Sequence, residues 1–183
     1  MNDTDHDRSL SHCSRALRAL ADGDYAGWPG LTDTCTTADA EAALGPAPGG
    51  DRSGDLGGSP TRYRVHAPSP GAPHGLYVYD VAERVVLVST HGARPVRSLS
   101  GQLGEPDARL PSQMPGFKTI WLWAARGLAL HLDDVAADEV DGGGEAGAAP
   151  AEVPWLYAFA PMSVDAFRGS WLAQVSLHRT RVR

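Results

Sequence analysis

The chain has 183 residues, a length that suits one domain or two small repeats sharing a core, and 42% hydrophobic content is ordinary for a globular protein. A formal net charge of -6 argues against nucleic acid or an anionic membrane as a general partner. Arginine supplies nearly all of the basic residues, with Lys118 the only lysine, and no run of apolar residues approaches membrane-spanning length. The acidic, polar opening Met1-Asn2-Asp3-Thr4-Asp5 lacks the character of a signal peptide, so a cytoplasmic protein is expected. Cys13 and Cys35 have neither the number nor the spacing of a disulfide framework, and free thiols are expected, with Cys13 buried on an apolar stripe.

In chain order, Leu10, Cys13, Leu17 and Leu20 recur at helical spacing, which predicts an amphipathic helix over 9–21 closed by Gly23. Tyr25, Trp28 and Leu31 follow in a turn-rich connection, where a tryptophan anchors the crossing onto the core. Thr36 or Thr37 can cap a second helix with Asp39 and Glu41 in its first turns, ending at Leu44-Gly45. The stretch from Pro48 to Pro60, rich in glycine, serine and aspartate, reads as a flexible loop.

Three strands are predicted next, over 61–67, 76–80 and 85–90, followed by a helix through Val96, Leu99 and Leu103 with Pro95 in its first turn. Residues 107–115 read as loop. Gly116 to Leu132 then holds two apolar runs joined by Ala125-Arg126-Gly127, which predicts a β-hairpin with a three-residue connection. That connection would set Ala124 opposite Leu128 and Leu122 opposite Leu130, and would place Trp121 and Trp123 opposite His131 and Ala129. The hairpin is thus apolar on both sides, and something must cover its aromatic side. An acidic, glycine-rich insertion over 134–152, a last strand over 153–160 and a closing helix capped by Ser163 complete the chain.

The expected fold class is α+β. Residues 1–35 form an N-terminal helix and connection, 36–92 a first α-β-β-β repeat, and 93–183 a second such repeat with the insertion and the closing helix. The antiparallel sheets are adjacent or continuous, with helices on one face. Each copy pairs a helix ending in Leu-Gly with a proline-containing loop: Leu44-Gly45-Pro46-Ala47-Pro48 in the first, Leu103-Gly104-Glu105-Pro106 in the second. On these residues the chain resembles the two-copy Leu-Gly-x-Pro modules of the β-lactamase inhibitory protein type, found singly in small lipoproteins of outer-membrane barrel assembly. The resemblance implies a helix-backed sheet whose open face binds another protein, and it identifies no catalytic residue.

No catalytic motif, cofactor cradle or metal-ligand spacing stands out. Ser89-Thr90-His91 reads as a strand end, not a triad, and His131 with Asp133 as a surface histidine beside an acidic turn. Arg62, Arg64 and His66 alternate on one side of a strand and would form a basic stripe on a solvated face. The aromatic set is the sharpest feature: Trp121, Trp123, Trp155, Tyr157 and Phe159 on one face, extended by Tyr77 and Tyr79, with His131 and Tyr157 as polar contacts. The bland alternative is that the N-terminal helix or the Tyr25 to Leu31 connection covers these rings and makes a second core. Three functions follow: a non-enzymatic protein-binding module of the inhibitor, immunity or accessory kind; a small-molecule pocket between sheet faces, in a sequestering protein or an enzyme without a recognisable motif; or a structural subunit of an assembly. On the first, changing Trp123 and Trp155 to alanine abolishes partner capture at a nearly unchanged thermal midpoint, whereas a fall of many degrees marks the rings as core.

Overall fold

The computed structural model describes residues 11–56, 59–91, 96–133 and 154–174. They form four helices, α1 (His12–Asp22), α2 (Thr37–Leu44), α3 (Val96–Leu103) and α4 (Val164–Gly169), and eight strands. The strands are β1 (Arg52–Leu56), β2 (Ser59–His66), β3 (Leu76–Val81), β4 (Arg84–His91), β5 (Ala108–Pro111), β6 (Thr119–Trp123), β7 (Leu128–Leu132) and β8 (Trp155–Ala158). All pair antiparallel in one sheet of order β1-β2-β3-β4-β8-β7-β6-β5. The α+β class is therefore as expected. The repeat of three strands per helix is not confirmed: four strands follow α2 and four follow α3. The expected insertion, Pro95 and the C-terminal basic residues lie outside the described residues, and among those described no helix is long and apolar enough to cross a membrane.

Local chemistry sets the helix ends. Ser11 caps α1 by accepting the Ser14 N–H. A capping box joins Thr36 and Asp39 at the start of α2, and Ser163 caps α4 through the Ala166 N–H. The apolar stripe of α1, Cys13, Leu17 and Leu20, packs with Tyr25, Trp28, Ala40 and Leu99 on one face of the sheet, against Val78, Val88, Leu128, Leu130, Leu156, Trp121 and Trp123. The other face is closed by α4 and the turn after it, where Phe167 and Leu172 meet Ile120, Leu122, Tyr157 and Phe159. Three helices thus lie on one side, and the closing helix crosses to the other.

The two edge strands were expected to be loops. β1 is Arg-Ser-Gly-Asp-Leu and β5 ends in proline, so neither has the β-branched content that marks a strand. Their neighbours impose the extended form, through pairs such as Arg52 with Tyr63 and Leu110 with Ile120.

The hairpin register also differs from expectation. A 3-10 turn over Ala124–Arg126 leads into Gly127 at φ 66°, a connection of four residues, so Trp123 faces Leu128 and Trp121 faces Leu130. A slip of one residue changes which cross-strand neighbours share a side. The tryptophans consequently join Leu128, Leu130 and Leu132 beneath the helices, while His131 and Ala129 turn to the opposite face with Ile120 and Leu122. A side chain at Gly127 would meet the Phe159 carbonyl oxygen at 2.0 Å, so the turn admits only glycine as it packs against the end of β8.

A tighter turn joins β3 to β4. Ala82 and Glu83 both take positive φ, 50° and 65°, a conformation that hairpin turns usually assign to asparagine and glycine. What holds it is α2: Thr37 N–H donates to the Glu83 carbonyl at 3.0 Å and Thr37 Oγ1 donates to Glu83 Oε2 at 2.5 Å. Val85 N–H reaches the Cys35 carbonyl at 2.9 Å, so the chain entering α2 is zipped to this turn.

The two cysteines are joined, not free as expected. Cys13 and Cys35 form a disulfide, with Cα atoms 5.4 Å apart and both residues buried. Two cysteines make no framework, but α1 packing on the approach to α2 brings this pair together. Closing a loop over a separation of 22 residues stabilises by about 3 kcal/mol through the unfolded chain.

Two outcomes follow. Full reduction by a dithiol under denaturing conditions, followed by refolding with the thiols blocked, should lower the thermal midpoint by roughly 6–12 °C, read by scanning calorimetry. Trp123→Ala should lower stability by about 3–5 kcal/mol in urea titration, because Trp123 is 2% exposed and its Nε1 donates to the Gly104 carbonyl at 3.0 Å. A loss below about 1 kcal/mol would contradict the packing of the helix side.

Candidate functional site

On the face opposite α1, α2 and α3, the pleat lines up three rows of side chains across the strands. Tyr63 of β2 faces Tyr79 of β3 and then Leu87 of β4. Tyr77 faces Ser89, which faces Tyr157 and then Ala129. His91 faces Trp155, which faces His131 and then Ile120. Ser89 and Ala129 are small and flank Tyr157 on both sides, which leaves room for its ring to lie fully buried between them.

Toward the β2–β4 half the rings form a connected file. His74 stacks on His91 with centroids 4.5 Å apart and planes 10° from parallel, and His91 lies 4.5 Å from Trp155. Tyr77 is 6.0 Å from both His91 and Trp155, and Tyr63 is 6.4 Å from Tyr77 and 5.3 Å from Tyr79. Offset and tilted contacts at these spacings are the favourable geometries for aromatic quadrupoles. Tyr79 is buried; Tyr63, Tyr77, His91 and Trp155 are half-buried, and His74 is exposed. Burial drives the Tyr79 and Tyr157 phenols well above the ordinary tyrosine range, so both stay neutral hydrogen-bonding groups.

Beneath the file the polar groups bond inward. Ser112 Oγ accepts the Met114 N–H at 3.1 Å and lies 2.9 Å from His131 Nδ1, while Tyr157 donates its hydroxyl to Met114 Sδ at 3.6 Å. The expected surface histidine at position 131 is instead 1% exposed, wedged against Tyr157 at 4.5 Å and edge-on to Phe117. Its Nε2 has no partner, and desolvation pulls its pKa down to about 4, so the ring is neutral at physiological pH. The Ser112–His131 pair is not a nucleophilic triad: the serine sits on Nδ1, and no carboxylate meets Nε2. Ser89 and Thr90 are likewise buried within β4, and Thr90 donates to the Gly75 carbonyl at 3.1 Å. Among the described residues no group of three histidine, cysteine or carboxylate side chains could hold a metal.

The sequence-derived aromatic set is therefore split. Trp121 and Trp123 lie beneath the helices, in one core with α1, Tyr25 and Trp28, which is the covering that the bland alternative describes. Trp28 Nε1 donates to the Arg126 carbonyl at 2.8 Å, and the Arg109 guanidinium lies 4.6 Å over the Trp121 ring. Tyr157, Phe159, His131 and Tyr79 belong to the opposite core, and only Trp155 and Tyr77 of the set come near the surface. Tyr63, His74 and His91 complete the file; the first two were not singled out in the sequence, and His91 was weighed only as a strand end beside Ser89 and Thr90. Tyr63 and Val65 alternate with the arginines of β2, so the signal was the other half of the same pattern.

Those arginines do not form a solvated basic stripe. Arg64 has a side chain only 11% exposed, and its Nε donates to Asp51 Oδ1 at 2.5 Å. Arg62 Nη2 donates to Asp80 Oδ2 at 2.8 Å and bonds Glu83, so acids from three elements neutralise the stripe. Arg64 Nη1 and the buried Asp80 Oδ1 form a longer ion pair at 4.0 Å, each without a hydrogen-bond partner. His66, on the same side, is buried with Nδ1 2.9 Å from the Gly45 carbonyl, and desolvation lowers its pKa.

No family model matches this chain, and neither does any curated protein or solved structure.

The histidines set a pH dependence. A histidine that binds its proton more weakly when folded contributes full stability above its unfolded value of 6.5, and that stability is lost as pH falls toward the folded value. For His131 the loss amounts to about 3 kcal/mol between pH 6.5 and about 4. Urea titrations across that window should show a steeper fall for the native protein than for His131→Phe. Parallel curves would mean that the buried ring is not neutral.

Proposed function

We propose that this chain is a non-enzymatic binding protein that presents the aromatic file of β2, β3, β4 and β8 to another protein. The observation that carries the reading is the unbroken run of rings from His74 through His91, Trp155 and Tyr77 to Tyr63, four of them half-buried and one exposed. Tyrosine and tryptophan at such positions offer large contact area with few rotatable bonds and a polar tip, the character of interface hot spots. Anchored side by side on a sheet, they lose little further freedom on binding. The three helices on the opposite face hold that platform rigid, and beneath it Ser112 meets His131 and the Tyr157 hydroxyl donates to Met114. The resemblance to inhibitory modules that bind through the open face of a helix-backed sheet points the same way. It supplies a precedent for the geometry, not a target.

The reading is tested with immobilised protein and extract of its native host. The native protein and the control Arg168→Ala, on exposed α4, should retain the same partner, and His74→Glu and Tyr77→Ala should lose it. His74→Glu should leave the midpoint unchanged because the side chain is exposed, while Tyr77→Ala should cost roughly 1–2 kcal/mol for a half-buried ring. Equal capture by the native and face-altered proteins would remove the aromatic file as the interface.

A further inference from the structure

A groove of about 350 Å³ lies on the helix side, between the C-terminal ends of α1 and α2 and the start of the β2–β3 link. Its size falls at the lower end of the range of small-molecule sites. The floor is apolar, made by Ala21, Ala43, Leu44, Ala67 and Pro68, and its polar groups are Arg18, Asp22 and Ser69.

The walls are fixed to one another. Gly71 N–H donates to the Ala21 carbonyl at 2.7 Å, and the Tyr25 hydroxyl donates to the Gly71 carbonyl at 3.2 Å, pressing the link onto the end of α1. A side chain at position 71 would meet the Leu20 carbonyl oxygen at 2.2 Å, so glycine alone permits that approach. The two helices are joined by the Cys13–Cys35 disulfide and by Ser14 Oγ donating to the Asp39 carbonyl at 3.1 Å. A groove built this way is present before any ligand arrives, which lowers the ordering that binding demands.

Its polar groups are unspent. Arg18 and Asp22 are neighbours four residues apart on α1, yet among the described residues they form no ion pair with each other or with anything else. The arrangement is also costly by itself. An ionised aspartate in the last turn of a helix lies beside the negative end of the helix dipole, and here a second helix ends at the same groove. A cation seated on Asp22 would relieve that repulsion. Ser69 Oγ is buried and has no hydrogen-bond partner.

We infer that this groove binds a free α-amino acid with a small aliphatic side chain, its carboxylate on the Arg18 guanidinium, its ammonium on Asp22 and its side chain on the alanine, leucine and proline floor. The two ends of the site are of opposite charge, separate and adjacent, as are the two ionised groups on one α-carbon. Arginine suits the carboxylate because its paired N–H groups match two oxygens. Ser69 adds a neutral hydroxyl for either end. A peptide, whose termini are far apart, would satisfy only one of the two charges.

The test uses the full chain and four probes at millimolar concentration: L-alanine, L-leucine, isocaproate, which keeps only the carboxylate, and isoamylamine, which keeps only the ammonium. L-leucine or L-alanine should raise the thermal midpoint in proportion to the logarithm of its concentration. Calorimetry should show each single-charge analogue binding about tenfold more weakly or worse, the value of one charged hydrogen bond. Arg18→Met should keep the ligand-free midpoint and Asp22→Asn should raise it slightly by removing the charge at the helix end, and both, conservative in volume, should lose the leucine effect. No response of the native protein to either amino acid overturns the inference. So does isocaproate binding as tightly as leucine, which would make the groove a simple anion site, or an undiminished leucine response in Arg18→Met.

Discussion

Everything in this protein follows from a sheet that is apolar on both faces. The central strands β4, β8, β7 and β6 carry large hydrophobic side chains up and down in alternation, so neither face can be left to water, and covering one of them is not enough. The chain meets that constraint with material from both ends. The N-terminal helix, its connection and the two later helices close one side. The short closing helix and the loop bearing Met114 close half of the other. What remains is the β2–β4 half of the second face, where rings take the place of aliphatic side chains and stay half-exposed.

The same constraint explains how the secondary features are distributed. The disulfide ties the helix layer together, and the Thr37–Glu83 contacts and the Trp28 bond to the Arg126 carbonyl tie that layer to the sheet turns. None of them lies on the aromatic side. Rigidity is therefore concentrated behind the platform, and the platform itself is held by ring contacts and by the ladder alone. The charged cluster of Arg62, Arg64, Asp51, Asp80 and Glu83 plays a different part, at the margin where the helix layer stops. Helix cover ends there before the strands do, and paired charges occupy a surface that would otherwise be apolar and wet.

His131 shows how burial alone alters chemistry. A histidine at the middle of an apolar row between Trp155 and Ile120 is held neutral by desolvation, with one nitrogen bonded to Ser112 and the other unpartnered. Its neighbour Tyr157 is held neutral by the same effect. The pair makes a polar seam inside an aromatic core rather than a reactive centre, and it supports the half-exposed rings beside it.

The sequence by itself determined the helices with their caps at Thr36 and Ser163, the six inner strands, the α+β class and the two-sided hydrophobicity of the tryptophan hairpin. These are local properties, written in spacing, capping side chains and glycine placement. Tertiary structure alone decided the register of that hairpin, because four residues and not three form its turn, and with it which side the tryptophans occupy. It also decided that Arg-Ser-Gly-Asp-Leu and Ala-Arg-Leu-Pro become strands, that Cys13 meets Cys35, and that carboxylates from distant elements neutralise Arg62 and Arg64. Each of these depends on groups far apart in the chain, whose free energy of pairing exists only once the sheet has brought them together.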